Sequence, residues 1–323
     1  MNNHTSRTAL VTGANSGLGL EAAAQLAEHG YGRVIVTARS DEKAAATVTT
    51  LVARTGKDVF ETVTLDNADL ATVETAARAL AERGGKIDLL LLNAGIAPTK
   101  ELSRTGDGLE LTMAASLTGH HVLTMRLLEH DLLTESARIV IAGSEAARGD
   151  VPTFSPVDID DFASEHFDGD LEAAIDAQLR MTEPAVYKPS DTYATTKLFV
   201  AWWSAELARN LPAGMTVNAV SPGSTPDTNA IRNAPFFMRY IMLPMFKLVP
   251  GMSHSVADGA GRYLEVADRG PHVSGKFFAS KPKKMTGPLH EMELDHFDNP
   301  SGQKALLNVL SRVTGGVGYL AGA

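Results

Sequence analysis

Three glycines within seven residues, Gly13, Gly17 and Gly19 in "LVTGANSGLGLEAAAQLAEHG" (10–30), constrain this chain more than any other feature. A short apolar run, Thr8-Ala9-Leu10-Val11, leads into them, and a stretch with helical spacing leads out. Glycines at this density permit a sharp turn and a close backbone approach to a partner. At the start of a helix the first N–H groups lack intrahelical partners and face outward with a partial positive charge, so the fitting partner is an anion. The spacing Thr12-Gly13-x-x-x-Gly17-x-Gly19 predicts a pyrophosphate-binding turn, with Asn15, Ser16 and Leu18 between and beside the glycines. The plainer alternative is a turn that only lets helix and strand pack.

The rest of the chain repeats the strand-then-helix unit. "TALVTG" (8–13), "RVIVTAR" (33–39), "ETVTL" (61–65), "IDLLLLNAG" (87–95), "ARIVIAGS" (137–144), "MTVNAVSPG" (215–223) and "GKFFAS" (275–280) read as strands. Helix-length segments such as 17–29, 67–83 and 108–132 lie between most of them. Strands apolar on both faces and separated by helices predict an α/β fold. The expected form is a doubly wound parallel sheet of about seven strands with helices on both faces, its ligands beyond the strands' carboxyl ends. Neither a repeat nor a low-complexity linker interrupts it, so 1–323 reads as one domain.

Composition removes several function classes. The net charge is −9 with both signs mixed along the chain, which argues against a nucleic-acid partner. The absence of cysteine excludes disulfides, thiolate metal sites and cysteine nucleophiles. The N-terminus carries no export pattern and no apolar run reaches the roughly 18 residues of a membrane span, so a cytoplasmic protein is expected. No metal is expected: Asp158-x-Asp160 and Asp168-x-Asp170 lack the remainder of a calcium loop, and in "HEMELDH" (290–296) the second histidine falls too late for a zinc motif.

Further along, residue types suited to redox chemistry recur at strand ends. The second strand ends in Ala38-Arg39, with an arginine where an acid would grip a ribose hydroxyl. That favours the 2′-phosphate of NADP over NAD, unless Arg39 is simply a solvated surface residue. In "DTYATTKLFVAWWSAELARNL" (191–211), a helix expected to start at Ser190 or Asp191, Tyr193 and Lys197 stand one turn apart on one face. An ammonium beside a phenol favours the phenolate and is expected to lower its pKa, tuning it for proton exchange with a carbonyl oxygen. Ser144 ends the fifth strand, placing a hydroxyl at the same sheet edge.

Together these residues resemble the short-chain dehydrogenases/reductases over most of the chain. "LNAG" (92–95) is similar to the family's NNAG element with Leu92 in the first Asn position, which implies cofactor contacts at Asn93, Ala94 and Gly95. The likeness makes Tyr193, Lys197 and Ser144 the catalytic residues, with Tyr193 and Lys197 also at the cofactor and Lys197 on the nicotinamide ribose. It further implies an adenine contact at Asp66, with Asn67 beside it. Pro222-Gly223 would lie beside the nicotinamide, with Thr228 or Thr225 on the carboxamide or pyrophosphate. "GAGRYLEVADRGPHVSGKFFAS" resembles the C-terminal part of retinol-dehydrogenase-like members. A homodimer or homotetramer is implied, with helices 108–132 and 191–211 as the contact and "AWW" (201–203) contributing.

Departures from the pattern define what is particular to this chain. Ser116 stands where the family places a fourth catalytic residue, an Asn that holds a helix distortion whose carbonyl binds a relay water. Residues 149–190 form an insertion with ten acidic and two basic residues, expected to be a solvated flap. It resembles shorter insertions in retinol-dehydrogenase-like and protochlorophyllide-reductase-like relatives. Residues 229–254 are rich in Met, Phe and Pro and fall where the family's substrate lid lies, so a hydrophobic small-molecule substrate is expected. The C-terminal extension 286–323 suggests no function. Three activities follow: an NADP(H)-dependent carbonyl reductase or alcohol dehydrogenase, a carbon–carbon double-bond reductase, or a dinucleotide-binding sensor.

Overall fold

Alternation along each strand sorts the core into two layers. Leu10, Ile35, Leu90, Leu92, Ile139 and Ile141 pack on one side of the sheet, and Ala9, Val11, Val34, Val36, Leu89, Leu91 and Val140 on the other. Both sides are therefore apolar and each is covered by helices, which is why the strands read as continuous hydrophobic runs. The computed structural model describes residues 7–225 and 253–317. Their eight strands follow the order β3-β2-β1-β4-β5-β6-β7-β8. They are β1 (Thr8–Val11), β2 (Arg33–Ala38), β3 (Phe60–Thr64), β4 (Ile87–Leu92), β5 (Leu133–Ala142), β6 (Thr216–Val220), β7 (Phe277–Ala279) and β8 (His290–Glu291). All pairs are parallel except β7 with β8. The seven expected strands are present, and the short antiparallel β8 is an addition the sequence reading lacks.

Helices α1 (Gly17–Glu28), α2 (Asp41–Thr55) and α3 (Leu70–Arg83) fill the first crossovers. Helix α4 (Leu111–Met113) passes through a π-helical turn at Ala114–Thr118 into α5 (Gly119–Glu129). Then come α6 (Ile159–His166), α7 (Leu171–Arg180), α8 (Pro189–Asn210), α9 (Val256–Ala267) and α10 (Pro300–Val313). Helix α8 starts at Pro189, earlier than expected, because proline's fixed φ suits a first helical position. Among the described residues no helix is long and apolar enough to cross a membrane.

The insertion 149–190 is not the solvated flap expected from its charge. It forms α6 and α7, whose Ala163, Ala174, Ile175 and Leu179 are wholly buried in the core. Several of its acids serve as helix caps and surface pairs. The Asp158 carboxylate accepts the Asp161 N–H, and Asp170 accepts those of Glu172 and Ala173. Glu172 pairs with Arg312 of α10 at 2.7 Å. The described part of the C-terminal extension, residues 286–317, to which the sequence assigns no role, thus closes over the insertion and over α8.

The closure also corrects one part of the expected contact between copies, the contribution of "AWW" (201–203). Trp202 packs against Gly302 of α10, and its indole N–H donates to the His296 carbonyl at 2.7 Å. Trp203 is fully buried edge-on to His121. The tryptophans of "AWW" are therefore covered by this chain's own C-terminal segment, so they offer no surface to a partner. Replacing the fully buried Leu310 by Ala is expected to cost about 2–5 kcal/mol of unfolding free energy in urea titration. An unchanged midpoint would mean that α10 is not part of the cooperative core.

Candidate active site

The strand order reverses between β1 and β4, and the chain leaves these neighbours in opposite directions, opening a crevice at their carboxyl ends. The glycine turn lies there. It is held by β1's neighbours: Ala14 N–H donates to the Thr37 carbonyl at 3.1 Å, and Gly13 N–H to the Thr37 hydroxyl at 3.1 Å. Gly13 and Gly17 have φ of 65° and 56°, the left-handed region that glycine enters without strain. A Cβ on Gly19 would lie 2.5 Å from both the Gly13 carbonyl oxygen and the Asn93 Nδ2. Ser16 caps α1 without a side-chain hydrogen bond, and Asn15 is exposed in the turn. The first N–H groups of α1 thus remain open to an anion, and the residues present fit a dinucleotide pyrophosphate.

Other expected cofactor residues gather around this turn with differing roles. Asn93 donates to the Thr12 carbonyl at 3.0 Å, and Ala94 N–H donates to the Thr12 hydroxyl at 2.9 Å, so both shape the turn. Arg39 is exposed just beyond β2 and has no ion-pair partner among the described residues. Asp66 follows β3 by two residues and accepts the Ala68 N–H at 3.0 Å. Asn67 is directed elsewhere: it is buried, and its amide donates to the Ala115 carbonyl in the π-helical turn at 3.3 Å. Gly223 has φ of 79° and lies against His254 and Arg262. Pro222, Thr225 and Leu18 all approach Gly259 of α9, which joins the glycine turn to the segment after β6. Thr228 and 229–252 of the expected lid lie outside the described residues.

Ser144, Tyr193 and Lys197 meet at the same edge. Ser144 follows β5, caps a short 3-10 turn by accepting the Ala146 N–H at 3.2 Å, and stands near enough to the Tyr193 phenol to favour its ionised form. Lys197 is 5 % exposed. Its ammonium donates to the Ala142 carbonyl at 2.8 Å and lies 5.7 Å from the centre of the Tyr193 ring. Burial pushes Lys197 down to about 8. The lowering expected for Tyr193 is not its net state here. Burial pushes the phenol up, the nearby Ser144 hydroxyl opposes this, and the Glu145 charge adds to the rise. The phenol is thereby held in its protonated form, the form that can give a proton to a carbonyl oxygen.

The helix distortion expected around Ser116 is present as the π-helical turn Ala114–Thr118. Serine therefore does not abolish it. A Cβ on Gly119 would come within 2.0 Å of the Asn67 carbonyl oxygen, so close packing against the segment after β3 requires glycine there. The Ser116 hydroxyl is buried and has no hydrogen-bond partner among the described residues. A Cβ on Gly95 would lie 3.0 Å from that hydroxyl and 3.9 Å from the Lys197 ammonium, so one glycine separates the two.

Four contributors escaped the sequence reading. Phe154, at the start of the insertion, sets its ring 6.0 Å from that of Tyr193. Beneath Ser144, Glu145 and Arg262 form a buried ion pair at 3.3 Å. Ser280 donates its hydroxyl to Glu145 at 3.0 Å, and Ser221 also donates to that carboxylate. This cluster ties the ends of β5, β6 and β7 to α9. The fourth is His120, buried between the glycine turn and the π-helical turn. None of them carries a sequence signal: the burial of Glu145 shows only in the fold, and isolated Arg, His and Phe residues have no positional pattern.

With this geometry in view, comparison with known proteins settles the class. Residues 7–156 match the family model for short chain dehydrogenases. The chain is 30% identical to dehydrogenase/reductase SDR family member 13 of Homo sapiens, over 87% of this chain and 67% of that protein. It is 29% identical to human retinol dehydrogenase 13, over 89% of this chain and 80% of that protein. A short chain dehydrogenase from Burkholderia cenocepacia J2315, solved with NADP, is 27% identical. Its TM-score is 0.61, with 85% of this chain and 96% of that one covered. The chain belongs to the short-chain dehydrogenase/reductase family and is an NAD(P)-dependent oxidoreductase.

The buried lysine gives a stability prediction with a defined sign. Its folded pKa lies below the ordinary 10.5, so the unfolded chain binds more protons between about pH 8 and 10.5 and the folded state gains stability as pH rises. Lys197→Met is expected to be more stable than the native chain by up to about 3 kcal/mol below pH 8. That advantage should shrink towards pH 10.5 in denaturant titrations. A gap independent of pH would contradict the burial of a charged Lys197.

Proposed function

We propose that this chain is an NADP(H)-dependent carbonyl reductase or alcohol dehydrogenase acting on a hydrophobic substrate. The observation that carries the reading is the meeting of Ser144, Tyr193 and Lys197 beside the glycine turn. When bound, the nicotinamide supplies the hydride that a carbonyl carbon accepts. Tyr193, protonated, gives its proton to the carbonyl oxygen as negative charge develops there. The Ser144 hydroxyl holds that oxygen against the phenol. Lys197 fixes one N–H on Ala142 and leaves its others for the cofactor ribose and the proton supply.

Arg39, exposed and unpaired among the described residues at the end of β2, supports NADP over NAD. The NADP in the Burkholderia cenocepacia structure agrees with this. Phe154 beside Tyr193, the Met- and Phe-rich sequence 229–254, and the name of the retinol dehydrogenase relative support an apolar substrate.

Consumption of NADPH at 340 nm with a panel of apolar ketones, aldehydes and enones tests the reaction. Tyr193→Phe is expected to lower kcat on the best of them by at least about a hundredfold. A variant that keeps its rate, or charged sugars reduced faster than apolar ketones, would count against the proposal. Preference for enones over saturated ketones would favour double-bond reduction instead. Arg39→Ala is expected to weaken NADPH by roughly ten- to a hundredfold while leaving NADH almost unchanged. Equal losses for both cofactors would show that Arg39 does not bind the 2′-phosphate.

A further inference from the structure

His120 takes no part in the chemistry above, yet it occupies the space between both halves of the site. It lies in the first turn of α5 and is 1 % exposed. Its two ring nitrogens have different partners: Nδ1 is 3.2 Å from the Ser116 carbonyl oxygen and Nε2 is 3.0 Å from the Thr12 hydroxyl. A carbonyl oxygen only accepts hydrogen bonds, so Nδ1 carries a proton. Burial first, and the Lys197 charge second, push the imidazole down to about 3, so it carries that proton alone. Nε2 is then an acceptor, and the Thr12 hydroxyl donates to it at 3.0 Å in preference to the Leu91 carbonyl at 3.5 Å. This leaves a Thr12 lone pair to accept the Ala94 N–H at 2.9 Å. Every proton direction from Ala94 through Thr12 and His120 to Ser116 is thereby fixed.

The two ends of this line belong to different tasks. Thr12 and Ala94 shape the glycine turn, where a Cβ on Gly13 would come within 2.9 Å of the Ala94 Cα. Ser116 belongs to the π-helical turn, its hydroxyl across Gly95 from Lys197. Its carbonyl is engaged by His120, while its hydroxyl is buried against Gly95 with no hydrogen-bond partner among the described residues.

We infer that His120 is a positioning residue that, as the Nδ1–H tautomer, locks the cofactor turn to the π-helical turn beside Lys197. Seating the cofactor turn and holding the Ser116 hydroxyl across Gly95 from the lysine are then one structural event. The catalytic consequence rests on the reductase reading; the coupling itself does not.

The test has two readouts. Nitrogen-15 correlation spectra of the native protein's histidine rings at pH 7 are expected to show His120 protonated at Nδ1 and pyridine-like at Nε2. NADPH affinity is then measured by fluorescence for His120→Leu and His120→Asn. Asparagine can donate to the carbonyl four residues back, as Asn210 does to Glu206 at 2.8 Å, but does not reach Thr12. Both variants are expected to lose NADPH affinity by about tenfold, since each removes the Thr12 hydroxyl's 3.0 Å acceptor and leaves it only the longer contact to the Leu91 carbonyl at 3.5 Å. Only His120→Asn should recover kcat, because it keeps the tie to Ser116. An Nε2–H tautomer, native NADPH affinity in either folded variant, or equal kcat in both would overturn the inference. If the leucine variant does not fold, the native spectrum and the asparagine variant's NADPH affinity decide. Failure of the native protein to reduce any carbonyl would count against the proposed function and leave the tautomer and affinity results to decide this one.

Discussion

A lysine ammonium 5 % exposed at the edge of an α/β sheet is costly unless something holds it, and here a single backbone carbonyl does. The Ala142 carbonyl sits at the last residue of β5 and is available because the strand ends there. The same ending places Ser144 two residues on, within reach of Tyr193. Helix α8 must therefore cross the sheet at a height that puts Lys197 over Ala142 and Tyr193 over Ser144. Its burial from Thr192 to Leu207 by the core, the insertion and α10 enforces that height. The peripheral helices contribute to the chemistry by keeping α8 in place.

Below the strand ends a second ionic centre performs a comparable task. Glu145 and Arg262 are each almost wholly buried, and each is satisfied by hydroxyls and carbonyls from β6, β7 and the segment after them. A buried pair of this kind contributes less to stability than to fixing which elements meet. Here it fixes the Ser144 turn against the Pro222-Gly223 segment. Its negative end also raises the phenol's pKa, so a structural pair and the acid–base residue are electrostatically linked.

Much of this was legible in the sequence because local rules and the fold agree. The glycine spacing, the apolar strands and the Tyr193–Lys197 interval each depend on backbone periodicity, and all reappear where expected. The insertion was misread because net charge does not reveal which acids cap helices: Asp158 and Asp170 spend theirs on N–H groups, leaving apolar faces for the core. The C-terminal extension was opaque for a related reason. An amphipathic helix declares a buried face but not what covers it, and Gly302 against Trp202 is a contact between positions a hundred residues apart in sequence. Asn67 shows the limit of carrying over a motif, since its neighbour Asp66 stands at the expected strand end while its own amide turns into the π-helical turn. His120 could be read from neither periodicity nor motif, because its significance is a bridge between the glycine turn and a helical turn a hundred residues on.

The most direct test of the whole site follows deuterium. NADPH labelled at nicotinamide C4 would be incubated with the chain and the best apolar ketone, and the alcohol examined by NMR. The account predicts deuterium on the carbinol carbon, with transfer suppressed in Tyr193→Phe while NADPH still binds. Tight NADPH binding with no label reaching any carbonyl carbon would contradict it.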